Sequence, residues 1–110
     1  MDDDALRDIF DALGEIEIRR MFGGKGIYHR GLIVGLLLYD EVMLKGDDET
    51  APLYENAGGD RWIYENKRTK RPVKMPYWTL PAEILEDRDQ LARWTRLAFE
   101  SAVRFEKAKG

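Results

Sequence analysis

Residues 26–45, Gly26-Ile27-Tyr28-His29-Arg30-Gly31-Leu32-Ile33-Val34-Gly35-Leu36-Leu37-Leu38-Tyr39-Asp40-Glu41-Val42-Met43-Leu44-Lys45, decide the fold. A short strand, Gly26–His29, meets a turn at Arg30-Gly31. The run Leu32–Tyr39 then carries an apolar side chain at every position but Gly35. Such a strand has both faces buried, so it belongs at the centre of a sheet, covered on both sides or closed by a dimer partner. Asp40-Glu41 makes a two-residue connection to Val42–Lys45, and the stretch as a whole reads as an antiparallel meander.

Upstream, Ile16-Glu17-Ile18-Arg19 alternates with the period of a half-buried strand. Before it, Leu6, Ile9, Phe10 and Leu13 fall on one face of a helix running from about Asp3 to Leu13, with aspartates at its positive end and Gly14 as its stop. Downstream, a second helix is expected to start between Asp48 and Thr50, to carry Pro52 in its first turn and to end at Gly58-Gly59. Leu53, Tyr54 and Ala57 make its apolar side. Trp62–Glu65 returns to strand, Asn66–Arg71 is a basic turn, and Val73, Met75 and Tyr77 share a face of the next strand. Pro76 cannot donate to a ladder, which predicts an edge strand or a bulge there. A single turn over Pro81–Leu85 leads to a long helix capped by Asp87 and Gln90. Its apolar stripe is Leu91, Trp94, Thr95, Ala98, Ala102 and Phe105. The expectation is one α+β domain over residues 1–110, two-layered, with an antiparallel sheet packed against helices in the order α-β-β-β-β-α-β-β-α.

Composition removes several chemistries. The 110 residues include no cysteine, which excludes disulfides, thiolate metal sites and cysteine nucleophiles. His29 and Ser101 are the only histidine and the only serine, so a multi-histidine metal cage is impossible and a serine relay would need both sole copies. The longest apolar run, Leu32–Tyr39, has eight residues, far short of the about 20 that span a bilayer. Met1 is followed by three aspartates where a signal peptide needs basic residues. A cytoplasmic protein with no membrane partner and no cofactor is expected.

Charge is uneven. Lys+Arg number 18 and Asp+Glu 21, a net charge of −3, but residues 1–60 carry 6 basic against 14 acidic side chains while residues 61–110 carry 12 against 7. Within the basic half, Lys67, Arg68, Lys70, Arg71 and Lys74 sit in one turn flanked by Trp62, Tyr64, Tyr77 and Trp78. Cations beside aromatics suit single-stranded nucleic acid. Overall acidity opposes that use, and the aromatics alternate as sheet-core residues do, so a solvated hairpin tip is the preferred reading. Gly23, Gly24, Lys25 and Gly26 resemble a phosphate cradle, but neither a P-loop nor a dinucleotide fingerprint is satisfied and a strand follows rather than a helix. A tight connection between strands is preferred. His29, at a strand end beside Arg30, is read as a surface residue rather than a base. Asp47-Asp48-Glu49 fits the first turn of a helix.

Four segments in register carry a family resemblance. Met21-Phe22-Gly23-Gly24-Lys25-Gly26-Ile27-Tyr28 resembles the Met-Phe-Gly-Gly-x-Gly-(Ile/Leu)-Tyr signature of the TfoX/Sxy N-terminal domain. Leu44-Lys45 with Asp47-Asp48-Glu49-Thr50 resembles that family's entry to its second helix. Met75-Pro76-Tyr77-Trp78 with Pro81 is similar to its Met-x-Tyr-Trp segment, and Leu85-Glu86-Asp87 leads into a Trp-containing helix as the family's sequences do. Pro76 departs from the strand-compatible residue many relatives carry.

The resemblance implies an α+β fold similar to secretion-chaperone-like folds, often dimeric, in regulators of natural competence. It implies no catalytic residues. Full-length members carry a second helical domain, and this chain ends at Gly110, directly after the long helix. The function expected is therefore a non-enzymatic regulatory or adaptor domain, a homodimer with a protein partner of unknown identity. The alternative is a nucleic-acid-binding module using the Lys67–Lys74 hairpin.

Overall fold

The structure, a computed structural model, describes residues 1–21 and 23–109. Phe22 of the signature and Gly110 lie outside the described residues. The strands are β1 (Glu17–Met21), β2 (Gly24–His29), β3 (Leu32–Leu38), β4 (Glu41–Lys45), β5 (Arg61–Glu65) and β6 (Pro72–Thr79). They form one antiparallel sheet in the order β1-β2-β3-β4-β6-β5. The helices are α1 (Asp3–Ile9), α2 (Ala51–Asn56), α3 (Ala82–Leu85) and α4 (Arg88–Lys109). The result is an α+β fold in which the expected order is kept and the turn before the long helix forms the short α3.

One face of the sheet is the main core. Ile27, Val34, Leu37, Leu44 and Trp78 meet Leu6 and Phe10 near α1, Tyr54 from α2, Ile84 from α3 and Leu91, Trp94, Ala98 and Ala102 from α4. Tyr54 stacks between Trp78 and Trp94, with ring centroids 5.6 and 5.4 Å away, and its hydroxyl donates to the Lys45 carbonyl at 2.8 Å. The Trp78 indole N–H donates to Glu55 Oε2 at 3.0 Å. Leu53, expected on the buried side of α2, is exposed, and so is Phe105 near the end of α4.

The opposite face is covered by strand side chains. Leu36, Leu38, Met43 and Tyr77 are buried there, ringed by Met21, Ile33, Trp62 and Met75, and no helix residue belongs to the group. Leu36 and Leu38 are only 4% and 6% exposed within one chain, and each such burial contributes about 2 kcal/mol. The double apolarity of β3 is thus satisfied on both sides without a partner. A bulge completes it. Ile27 pairs with Gly35 and Tyr28 with Ile33, so Val34 is the extra residue, and the strand changes phase there. Gly35 then faces the core, where a Cβ would come within 2.9 Å of the Phe10 ring and 2.8 Å of the Met43 carbonyl oxygen.

Several boundaries differ from expectation for physical reasons. α1 stops at Ile9 and a 3-10 turn covers Asp11–Leu13, because fully buried Phe10 leaves the helical path (φ −97°, ψ 17°) to reach that space. The β3–β4 connection is Tyr39-Asp40 rather than Asp40-Glu41, with φ of 52° and 60°, the positive angles that match strand twist in a two-residue hairpin. β6 is an interior strand, so Pro76 resolves to a bulge. β5 and β6 lose register between Arg61 and Ile63, and the Arg61 side chain fills the gap by donating from Nε to the Met75 carbonyl at 2.9 Å.

Candidate functional site

The described residues of the signature segment lie at the end of β1, at Gly23 and along β2. Gly23 has φ +75°, and a Cβ on Gly24 would lie 2.1 Å from the Leu37 carbonyl oxygen. On Gly26 it would meet the Met21 sulfur at 2.9 Å and the Tyr28 ring at 3.0 Å. Positive φ therefore accounts for Gly23 and close approach of the Leu37 backbone for Gly24, while at Gly26 the crowding comes from the Met21 and Tyr28 side chains. Lys25 is engaged by Asp3, which draws the Asp3 carboxyl below its ordinary range. Tyr28 lies under the Arg19 guanidinium at 4.3 Å. A shallow bowl of about 680 Å³ opens beside Gly23 and Gly24, bounded by Arg20 and Tyr39.

The later signature residues lie on opposite faces of the sheet. Tyr77 is buried on the strand-covered face, where burial pushes its phenol up to about 12. Trp78 is buried on the helix face. Met21 and Tyr77 pack in the same strand-side cluster with Gly26 and Tyr28 against Met21, whereas Gly24 meets the Leu37 backbone and Trp78 lies in the helix-side core.

His29 is a buried residue, contrary to the expectation of exposure. Its Nδ1 lies 2.7 Å from the Glu15 carbonyl oxygen. Because a carbonyl only accepts, Nδ1 carries the proton. The ring makes a T-shaped pair with Phe99, centroids 4.9 Å apart. Ser101, fully buried, donates to the Leu97 carbonyl and shares a hydrogen bond with Thr50 Oγ1. The two residues thus bond elsewhere. No group of three metal-ligating side chains occurs among the described residues, and no helix of the described residues is long and apolar enough to cross a membrane.

Asp47 has a larger structural part than helix-end charge. Its carboxylate accepts the Thr50 and Glu49 N–H groups and is gripped by Arg104 of α4 at 2.6 and 3.1 Å. Arg104 also pairs with Glu49. This bidentate guanidinium holds the Asp47 carboxyl down at about 2, against a smaller opposing effect of burial. Lys45 lies nearby, buried between the Phe105 ring at 4.0 Å and the Tyr77 ring at 5.1 Å. Burial and the charge of Lys109 depress its ammonium. The helical period places Arg104 on the polar face of the long helix, and no local signal joins it to Asp47.

The β5–β6 hairpin turns cations and large apolar side chains outward together. Lys67, Arg68, Lys70, Arg71 and Lys74 are all exposed, and none is in an ion pair among the described residues. The tip is ordered: Asn66 Oδ1 accepts the Arg68 and Thr69 N–H groups, and Lys70 N–H donates to the Asn66 carbonyl. Beside it, Ile63, Tyr64 and Val73 are 55%, 46% and 42% exposed. Trp62 is partly buried against Tyr64 and Tyr77, each with its centroid 6.4 Å away. Of the four aromatics read from sequence as flanking the basic turn, Tyr64 alone is exposed. Ile63 and Val73 were missed as surface residues because their alternation looks like that of any half-buried strand.

The family model for the TfoX N-terminal domain matches residues 8–102, nearly the whole chain. No curated protein matches it.

Proposed function

The chain belongs to the TfoX N-terminal domain family, and from that premise we propose that it is a TfoX-like regulatory domain that works without catalysis, through protein–protein contact in the cytoplasm. The observation that carries this reading is the β5–β6 hairpin, where three large apolar side chains stand exposed beside exposed cations. Large exposed apolar groups beside a polar rim are a feature of binding surfaces. The bonding of His29 and Ser101 to structural partners supports the same reading. Homodimerisation belongs to this proposal too. Its support is the exposed hairpin, since β3 is already covered.

Affinity purification of the tagged chain from its native host, with nuclease treatment, tests it. A defined protein recovered in fixed ratio is expected. Recovery of the chain alone overturns the protein-contact reading, and a monomer mass by light scattering at micromolar concentration removes the dimer.

A second reading, nucleic-acid binding through Lys67, Arg68, Lys70, Arg71 and Lys74, is favoured by the exposure of those cations. Affinity for single-stranded DNA that falls steeply with salt, and that disappears when Lys67, Arg68, Lys70 and Arg71 become alanine, is its mark.

A further inference from the structure

We propose that the free edge of β5 receives an extended, acidic segment of a partner protein as an added strand. The inference rests on the protein-contact reading and specifies its surface. Among the described residues β5 pairs with β6 and has no second neighbour. The Asn66 N–H donates to the Arg71 carbonyl, and antiparallel ladders alternate bonded and non-bonded pairs. Tyr64 and Val73, which are paired, are therefore the next bonded couple. Ile63 and Glu65 turn their N–H and C=O groups away from β6. These are the groups an added strand uses.

The other strand at the sheet boundary is built differently. β1 carries the Glu17–Arg19 ion pair, with both side chains on one face, and its alternate positions hold Ile18 and Arg20. Charge along an edge discourages pairing with another chain. β5 instead places exposed Ile63 on one face and exposed Tyr64 on the other, so an incoming strand finds apolar contact at alternate positions on either side of the ladder.

Charge selects the partner. From Arg61 to Lys74 there are six basic residues and one acidic residue, Glu65. All five cations at and beyond the tip are exposed and unpaired among the described residues. A segment with carboxylates opposite the tip and β-branched residues opposite Ile63 and Tyr64 complements both features. Nucleic acid uses neither the backbone edge nor Ile63. The stacking platform it requires is also incomplete, because Trp62 and Tyr77 are turned into the strand-covered cluster.

The test uses a fluorescent peptide about eight residues long, with consecutive Val and Ile residues to lie opposite Ile63 and Tyr64 and Asp/Glu residues at the end that meets the basic tip, and a single-stranded oligothymidylate as comparison. Two further peptides carry N-methyl groups on one or the other alternate set of residues. Expected are binding of the plain peptide with Kd on the order of 0.1 mM at low salt, and a loss of roughly tenfold or more for one N-methylated set, as removal of two backbone hydrogen bonds brings. The other set should bind as the plain peptide does.

Ile63→Pro, which removes an outward N–H and no bond to β6, should cause the same loss while circular dichroism stays unchanged. The N-methylated peptides keep the test valid should that variant fail to fold. Absence of peptide binding overturns the proposal, as does binding indifferent to both N-methyl sets. Oligothymidylate that binds more tightly and displaces the peptide also overturns it, in favour of nucleic acid. Should Ile63→Pro still capture the host partner undiminished, this surface is wrong while the protein-contact reading stands.

Discussion

Replacing Asp47 by asparagine should remove one particular part of the acid sensitivity of the fold. Asp47 joins the start of α2 to the C-terminal half of α4 through Arg104, and its carboxyl is held at about 2 against an ordinary 3.8, chiefly by the Arg104 hydrogen bonds. A carboxyl whose value falls by that amount on folding corresponds to about 2 kcal/mol of stability at neutral pH. The side chains of Asp47 and Arg104 are 25% and 37% exposed, and solvent screening lowers the expectation to about 1 kcal/mol. Because the folded value is depressed, this contribution is complete above pH 4 and is lost as pH falls toward 2. Asp3, Glu17, Asp40 and Asp87 are lowered as well, so wild type loses stability over that window for several reasons. Only the difference between the two proteins isolates Asp47. Urea unfolding at pH 7 should show Asp47→Asn less stable by about 1 kcal/mol, a fall in Tm of about 5 °C, with the gap closing between pH 4 and pH 2. A gap that is constant over that range refutes the assignment of the effect to the Asp47 charge.

Gly24→Ala should cost about 3 kcal/mol or more, since its Cβ would sit 2.1 Å from the Leu37 carbonyl oxygen; a soluble, cooperatively melting variant of wild-type Tm contradicts the packing account of the signature. Asp40→Gly should stabilise by about 0.5–1 kcal/mol, because φ of 60° is relieved while the surrendered ion pair with the N-terminal amine is exposed and weak. A denaturation midpoint below wild type argues against it. Tyr54→Phe removes a fully buried donor from the Lys45 carbonyl and should cost about 1–2 kcal/mol in chemical unfolding. A cost near zero shows that the carbonyl finds another donor.

The sheet and long helix were readable because their determinants are local. Alternation marked β1, glycine marked the Arg30-Gly31 turn, and Asp87 does cap α4 by accepting the Gln90 N–H. What escaped reading depends on distant partners. The break in α1 follows from Phe10 seeking the space over Gly35, twenty-five positions away in sequence. Whether β3 is covered within the chain or by a partner was not readable, because a one-residue bulge at Val34 splits its apolar residues between two clusters, and nothing local announces a bulge. The basic turn was located from charge alone. Its importance as an edge lay in the sheet order, which places β6 beside β4 and leaves β5 outermost, and in how far Ile63 and Val73 project beyond the core.

The most direct measurement is a photo-crosslink from the hairpin in the native host, with p-benzoylphenylalanine at position 64 and, as control, at exposed position 53 on α2. Adducts from position 64 that map by mass spectrometry to an acidic, strand-forming segment of one protein are expected, with none from position 53. Adducts to nucleic acid, or equal labelling from both positions, would contradict that expectation.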